Sequence, residues 1–205
     1  MKPLRLLAVF AHPDDESFAA GGTLARHAAA GIEVVIVSAT RGEAGIGGVA
    51  ADQAGALREA ELRRAAAALG ASQVDFLGYQ DGDLSGMDPD EAIGRLVALL
   101  SRIQPQVLIT FGPDGISGHP DHVAVSRWVT AAFDAMNGPD APQKLYYVAP
   151  SLATQQACGA TDAPPLPAGA VGVDVEAHRV AKVRAMQSHA SQVPPYPGDP
   201  IREAQ

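Results

Sequence analysis

The chain has 205 residues, 47% hydrophobic and 19% charged, a balance that suits one soluble globular domain with a sizeable core and excludes a disordered chain. Its formal net charge of −8, with no basic stripe to offset it, argues against a general nucleic-acid binder. The lone Cys158 excludes an intramolecular disulfide and a cysteine-ligated metal, and no run approaches the roughly 20 apolar residues of a membrane span. A reduced, cytoplasmic setting is the simplest expectation, because the apolar run at residues 6–11 is also too short for a secretory signal.

From the N-terminus, an apolar run over residues 4–11 reads as a first strand, and a helical pattern over 17–30 follows, stopped by Gly31. A second strand is expected over 33–40, a helix over 54–69 with Gly70 as its stop, and a third strand over 74–77. Asp88-Pro89-Asp90 starts a helix over 90–103, ahead of a fourth strand over 107–111 and a helix over 121–136. A fifth strand over 144–148, a weaker sixth over 171–175 and a last helix over 176–189 complete the pattern. Short runs of Val, Ile and Leu suit parallel strands covered on both faces. The succession predicts an α/β fold: a Rossmann-like, doubly wound, mostly parallel sheet with helices on both faces. One domain is expected over 1–192, with a Pro-rich tail over 193–205.

Polar, glycine-rich segments follow the first four strands, at residues 12–16, 41–48, 78–85 and 112–122. In open α/β sheets, ligands bind outside the carboxyl ends of the strands, where the strand order reverses. A 3-2-1-4-5 order makes strands one and four neighbours there. Those two strands are followed by Ala11-His12-Pro13-Asp14-Asp15-Glu16 and Gly118-His119-Pro120-Asp121-His122.

The two clusters carry imidazoles and carboxylates of the kind that bind zinc and leave one position open for water. His12 and Asp15, three residues apart at a helix entrance, can point to one centre, and His122 supplies a third ligand. Either cluster alone fits a buried histidine beside an ordinary N-cap; both together after adjacent strands favour a metal site. Asp14 is then a spare carboxylate, suited to take a proton from water and return it to a leaving nitrogen. His119 is a spare imidazole, suited to donate to a developing oxyanion. Asp121 either orients His119 or caps the following helix. Glu16 and Ser17 are expected to serve the first helical turn, and His27 and His178 to be ordinary helix-face residues.

The sequence resembles the LmbE-like superfamily, also named for the N-acetylglucosaminylphosphatidylinositol de-N-acetylases. Matching segments run from Ala11-His12-Pro13-Asp14-Asp15-Glu16 through Thr40-Arg41-Gly42-Glu43, Arg58-Glu59-Ala60-Glu61-Leu62 and Gly118-His119-Pro120-Asp121-His122 to Lys182 and His189-Ala190-Ser191-Gln192. The resemblance implies a zinc-dependent hydrolase that removes an acyl group from a glucosamine-containing small molecule. It implies His12, Asp15 and His122 as metal ligands, Asp14 as base and His119 as the oxyanion-stabilising histidine. It also suggests substrate contacts at Arg58 and at Asp81 or Asp83, with Arg41 near the pocket mouth. On its own spacing, Arg58 reads equally as a solvated helix residue paired with Glu61. His189 is expected to buttress the last helix, and a homo-oligomer is a further expectation.

Two departures stand out. Mycothiol-pathway deacetylases carry a tyrosine two positions before the first histidine of the second motif, where this chain has Ser117. The sequence also stops soon after Gln192, whereas many relatives continue with a segment that shapes the substrate site. Three rival readings remain: an amidase acting on a larger N-acyl conjugate, a non-catalytic nucleotide-binding module and a structural metal site. His-Pro-Asp-Asp replaces the Gly-x-Gly-x-x-Gly loop that the second needs, and the third lacks cysteine ligands. Another divalent metal could serve in place of Zn2+.

Overall fold

Central strand β1 (Arg5–Phe10) lies between β2 (Glu33–Thr40) and β4 (Val107–Phe111), with β3 (Gln73–Tyr79) and β5 (Lys144–Val148) at the edges. The order is β3-β2-β1-β4-β5 and every pairing is parallel. The computed structural model describes residues 3–150 and 166–192. Leu6, Leu7, Ala8, Val9 and Phe10 are all buried, as a strand covered on both faces requires. Each fully buried side chain of Leu or Phe size contributes about 1.5–3 kcal/mol through its removal from water.

Helices α1 (Gly21–Ala29), α2 (Ala51–Leu69) and α5 (Arg179–Ser188) pack together on one face, and α3 (Pro89–Ile103) packs against α4 (Pro120–Ala135) on the other. This is the doubly wound arrangement expected from the sequence. Gly70 closes α2 at φ 75°, and the Asp88 side chain caps α3 by accepting from the Asp90 N–H at 3.0 Å. No helix among the described residues is long and apolar enough to cross a membrane.

The structure departs from the expected elements in two places. Residues 171–175 form no strand, and Val171 is 79% exposed. Their backbone instead follows α1: Arg26 donates to the Asp174 carbonyl at 2.5 Å, and a Cβ on Gly22 would stand 2.7 Å from Val175. The first helix is also not continuous. A π-helical turn, Glu16–Ala20, precedes α1, and Ala20 breaks the two at φ −130° and ψ 0°. Such turns widen the backbone spiral and recur at functional sites. The expected tail over 193–205 lies outside the described residues.

Candidate metal centre and active site

The reversal of strand order between β1 and β4 brings the two histidine clusters together. Beyond β1, the carbonyl of Ala11 accepts from both the backbone N–H and the Oγ1 of Thr40, each at 3.0 Å. This ties the start of the first cluster to the end of β2. Beyond β4, Phe111 stacks flat on His122, with ring centroids 4.1 Å apart and planes 6° from parallel.

Donor atoms of three residues converge between the loops. His12 Nδ1 lies 3.3 Å from His122 Nε2 and 3.5 Å from Asp15 Oδ2, and His122 Nε2 lies 3.4 Å from Asp15 Oδ1. A tetrahedral ion with bonds of about 2.0–2.1 Å has ligand–ligand edges of about 3.3–3.4 Å, which the two imidazole nitrogens meet, with one Asp15 oxygen near each of them. The opposite nitrogen of each imidazole is already a donor. His12 Nε2 donates to Asp81 at 2.9 Å and Asp121 at 3.2 Å, while His122 Nδ1 donates to the Gly115 carbonyl at 3.1 Å. Asp15 Oδ2 accepts the His12 backbone N–H at 2.8 Å. Partners of this kind fix tautomer and ring orientation, leaving the facing nitrogens as lone pairs.

The electrostatics agree with the geometry. Burial works against protonation of His12, but Asp15 and Asp81 outweigh it and lift its pKa to about 10. In the absence of a cation, a proton answers the surrounding negative charge. Burial lowers the pKa of His122, which favours the neutral imidazole that a metal ligand requires. A second group, His12 with His119 and Asp121, also brings ligand atoms within 4.8 Å. It fits less well, because the Asp121 oxygens already accept the N–H groups of Gly82 at 2.8 Å and Leu84 at 3.1 Å.

Asp14 stands beside this centre on a strained backbone at φ +116°, a region that side-chain-bearing residues seldom adopt. Burial pushes its carboxyl up to about 7, with Asp15 reinforcing the shift and Arg58 opposing it. A carboxylate near neutrality is well matched to general-base work. His119 caps α4: its Nδ1 accepts the Asp121 N–H at 3.2 Å, which leaves the ring proton on Nε2. The His119 ring is exposed, 4.8 Å from that of His122 and 5.1 Å from that of His12.

The other expected site residues have partners that the sequence did not indicate. Asp121, fully buried, neither orients the His119 ring nor caps α4 with its side chain; it faces His12 and ties down the loop after β3. Arg58 is 3% exposed, so it is no solvated partner of Glu61, which binds Ser191 instead. Its guanidinium reaches the carbonyls of Gly42 at 3.0 Å and Pro13 at 2.6 Å and Asp14 Oδ2 at 3.2 Å. A Cβ on Gly42, itself at φ +70°, would fall 2.2 Å from that guanidinium. Arg41 pairs with Glu59 at 3.0 Å, its guanidinium over the Phe76 ring. Asp81 turns inward to His12 and to the backbone N–H of Ala44 at 3.0 Å, whereas Asp83 is exposed.

Sequence reasoning also missed Phe111 and Gly115, which orient His122. A built Cβ on Gly115, at φ +66°, would stand 2.8 Å from His122 Cβ. The glycine spacing in Gly112 to Gly118 carried that signal without naming its target. His189, expected to buttress the last helix, sits at its C-terminal end, fully buried, with its side chain on Glu16.

These features define an α/β protein with a His/Asp/His group able to hold a metal ion at its strand-order switch. The profile of the PIG-L family, GlcNAc-PI de-N-acetylase, matches residues 7–133, and the chain belongs to this family. The 1D-myo-inositol 2-acetamido-2-deoxy-alpha-D-glucopyranoside deacetylase of Actinosynnema mirum is 36% identical, covering 93% of this chain and 81% of its own. The enzyme of the same name from Nakamurella multipartita is 38% identical over 96% of this chain and 82% of its own. Among solved structures, the conserved protein TT1542 of Thermus thermophilus is 30% identical with a TM-score of 0.72, covering 92% of this chain and 80% of that one. The two sequence relatives are thus named as deacetylases of a glucosamine-containing small molecule, although Ser117 stands where the mycothiol-pathway pattern has tyrosine.

Proposed function

We propose that this protein is a zinc-dependent N-deacetylase acting on a small N-acetylglucosamine-containing molecule. The convergence of His12, Asp15 and His122, with the two imidazole nitrogens 3.3 Å apart and an Asp15 oxygen 3.4–3.5 Å from each, beside Asp14 and His119, carries the reading. A divalent cation held by those three residues supplies Lewis acidity and lowers the pKa of water at the site.

The chain's own groups do the rest. Asp14 takes a proton from the attacking water as its oxygen adds to the amide carbonyl carbon. The His119 Nε2–H donates to the carbonyl oxygen as charge develops there, so the bond strengthens toward the transition state. Asp14 then passes its proton to the nitrogen, the C–N bond breaks, and acetate and the free amine leave. Asp81 and Asp121 keep His12 oriented throughout. The amide that enters is that of an N-acetylated amino sugar, as in the related inositol glycoside deacetylases.

Acetate release from N-acetylglucosamine, its oligomers and its inositol glycoside tests the reading, using zinc-loaded protein and the Asp14→Asn variant. Turnover of at least one glucosamine derivative is expected, with a loss on the order of 10²–10⁴ in Asp14→Asn at equal zinc content. Release of no acetate from any of them, or full turnover by the variant, contradicts it.

A further inference from the structure

The reaction just described leaves one buried pair without a task. His189, at the end of α5, and Glu16, at the start of the π-helical turn, are 0% and 1% exposed. His189 Nε2 donates to Glu16 Oε1 at 2.8 Å, and Glu16 Oε2 accepts the backbone N–H of Asp14 at 3.0 Å. Ser17 Oγ also donates to Glu16 Oε1. Glu16 therefore acts only as an acceptor, and its carboxylate joins the last helix to the residue proposed as base.

The state of Asp14 gives this link its meaning. A residue held at φ +116° stays there only where its surroundings over-determine the backbone. The Asp14 carbonyl accepts from the N–H groups of Ser17 at 2.9 Å and Phe18 at 3.1 Å, and its carboxylate is held by Arg58. Glu16 holds the remaining polar group, the N–H. His189 Nδ1 is buried with no hydrogen-bond partner among the described residues, so the proton of a neutral ring belongs on Nε2, facing Glu16. α5 grips the same turn again through Lys182, whose Nζ donates to the Phe18 carbonyl at 3.0 Å.

We propose that Glu16 and His189 are positioning residues, the imidazole fixing the Glu16 carboxylate and the carboxylate fixing the strained backbone that aims Asp14. The inference rests on the reading of Asp14 as base. An ordinary helix-capping role for Glu16 predicts lost stability with no particular dependence on Asp14. A positioning role predicts lost turnover that requires Asp14, since a misplacement of about 1 Å can cost on the order of 10² in rate.

The test is a double-mutant cycle on zinc-loaded protein, with kcat and KM for acetate release, zinc content, and exchange of the Asp14 amide by NMR. Glu16→Ala is expected to lower kcat by about 10- to 100-fold while KM stays within about threefold and zinc content is unchanged. Glu16→Gln, which keeps one oxygen for the Asp14 N–H, should recover kcat to within about fivefold of the parent. His189→Ala should lose less than Glu16→Ala. In an Asp14→Asn background, Glu16→Ala and His189→Ala should each cost less than about twofold, because there is no base left to aim.

Glu16→Ala should also speed exchange of the Asp14 amide. Losses that multiply fully in the Asp14→Asn background, a zinc content that falls, or a change in KM alone overturns the proposal. If Glu16→Ala does not fold, the His189→Ala cycle and Glu16→Gln decide on the same criteria. Parent-like turnover by Asp14→Asn would remove the base assignment itself. Amide exchange would still report separately whether Glu16 holds Asp14, so the two failures are distinguishable.

Discussion

Arg58 Nη2 donates to two acceptors of the first cluster, the Pro13 carbonyl at 2.6 Å and Asp14 Oδ2 at 3.2 Å, while Nη1 holds Gly42 at 3.0 Å. One buried guanidinium thus joins the loops after β1 and β2. Arg58→Lys keeps the charge but offers no planar fork to serve all three acceptors. It should lower kcat on the order of 10² through misplacement of Asp14. Arg58→Ala should in addition cost about 3 kcal/mol of stability, since buried acceptors lose their donor. Steady-state kinetics and thermal melts check both, and parent-like values in the lysine variant would show that the fork does not position Asp14.

Asp121 is fully buried against His12 and the loop after β3, which separates two accounts of its role. As an outer partner of a metal-binding imidazole, it should matter to metal affinity. Asp121→Asn is expected to weaken zinc binding by about 10- to 100-fold in a chelator competition. An unchanged affinity with impaired turnover would return Asp121 to the service of His119.

How much of this was legible beforehand depends on what spacing encodes. Hydrophobic runs placed β1 and β4, and strand-switch logic placed His12, Asp15 and His122 on one crevice. Spacing says which residues share an end of the sheet, but not which rotamer each adopts once loops close. Spacing therefore leaves Asp121 as either a partner of His119 or a helix cap, although the loop carrying Gly82 and Leu84 recruits its carboxylate. Arg58 and Arg41 looked alike as basic residues near the site. Only packing shows that Arg58 is drawn inward by three oxygen acceptors while Arg41 pairs with Glu59 above Phe76. The positive φ of Asp14 has only a weak sequence signal, because Asp visits such positions more readily than most side chains but far less often than Gly.

His119 should separate catalysis from binding. Its Nδ1 is committed to capping α4, so its Nε2–H is the donor left for substrate. His119→Ala is expected to lower kcat by about 10²–10³ with a much smaller change in KM. Loss of the cap adds about 1 kcal/mol of destabilisation. Loss of zinc from this variant would instead make His119 a ligand.

The metal-free protein should respond to alkali in a defined direction. The pKa of His12 in the folded protein is raised to about 10 from 6.5, so the stability that its protonation contributes is fully present below about 6.5. That contribution is lost as pH rises through 10, when deprotonation removes the positive charge facing Asp15 and Asp81. Melting temperature after chelation should accordingly fall across this window, and His12→Asn should flatten the slope. A metal-free parent protein whose melting point is level across that window would contradict the assignment of an anionic, cation-seeking centre.

Anomalous diffraction at the zinc edge, from crystals grown with stoichiometric zinc, locates the metal without reference to activity. One strong peak is expected about 2.0–2.2 Å from His12 Nδ1, His122 Nε2 and an Asp15 carboxylate oxygen. A peak seated between His119 and Asp121, or no peak beside His12, would contradict this placement.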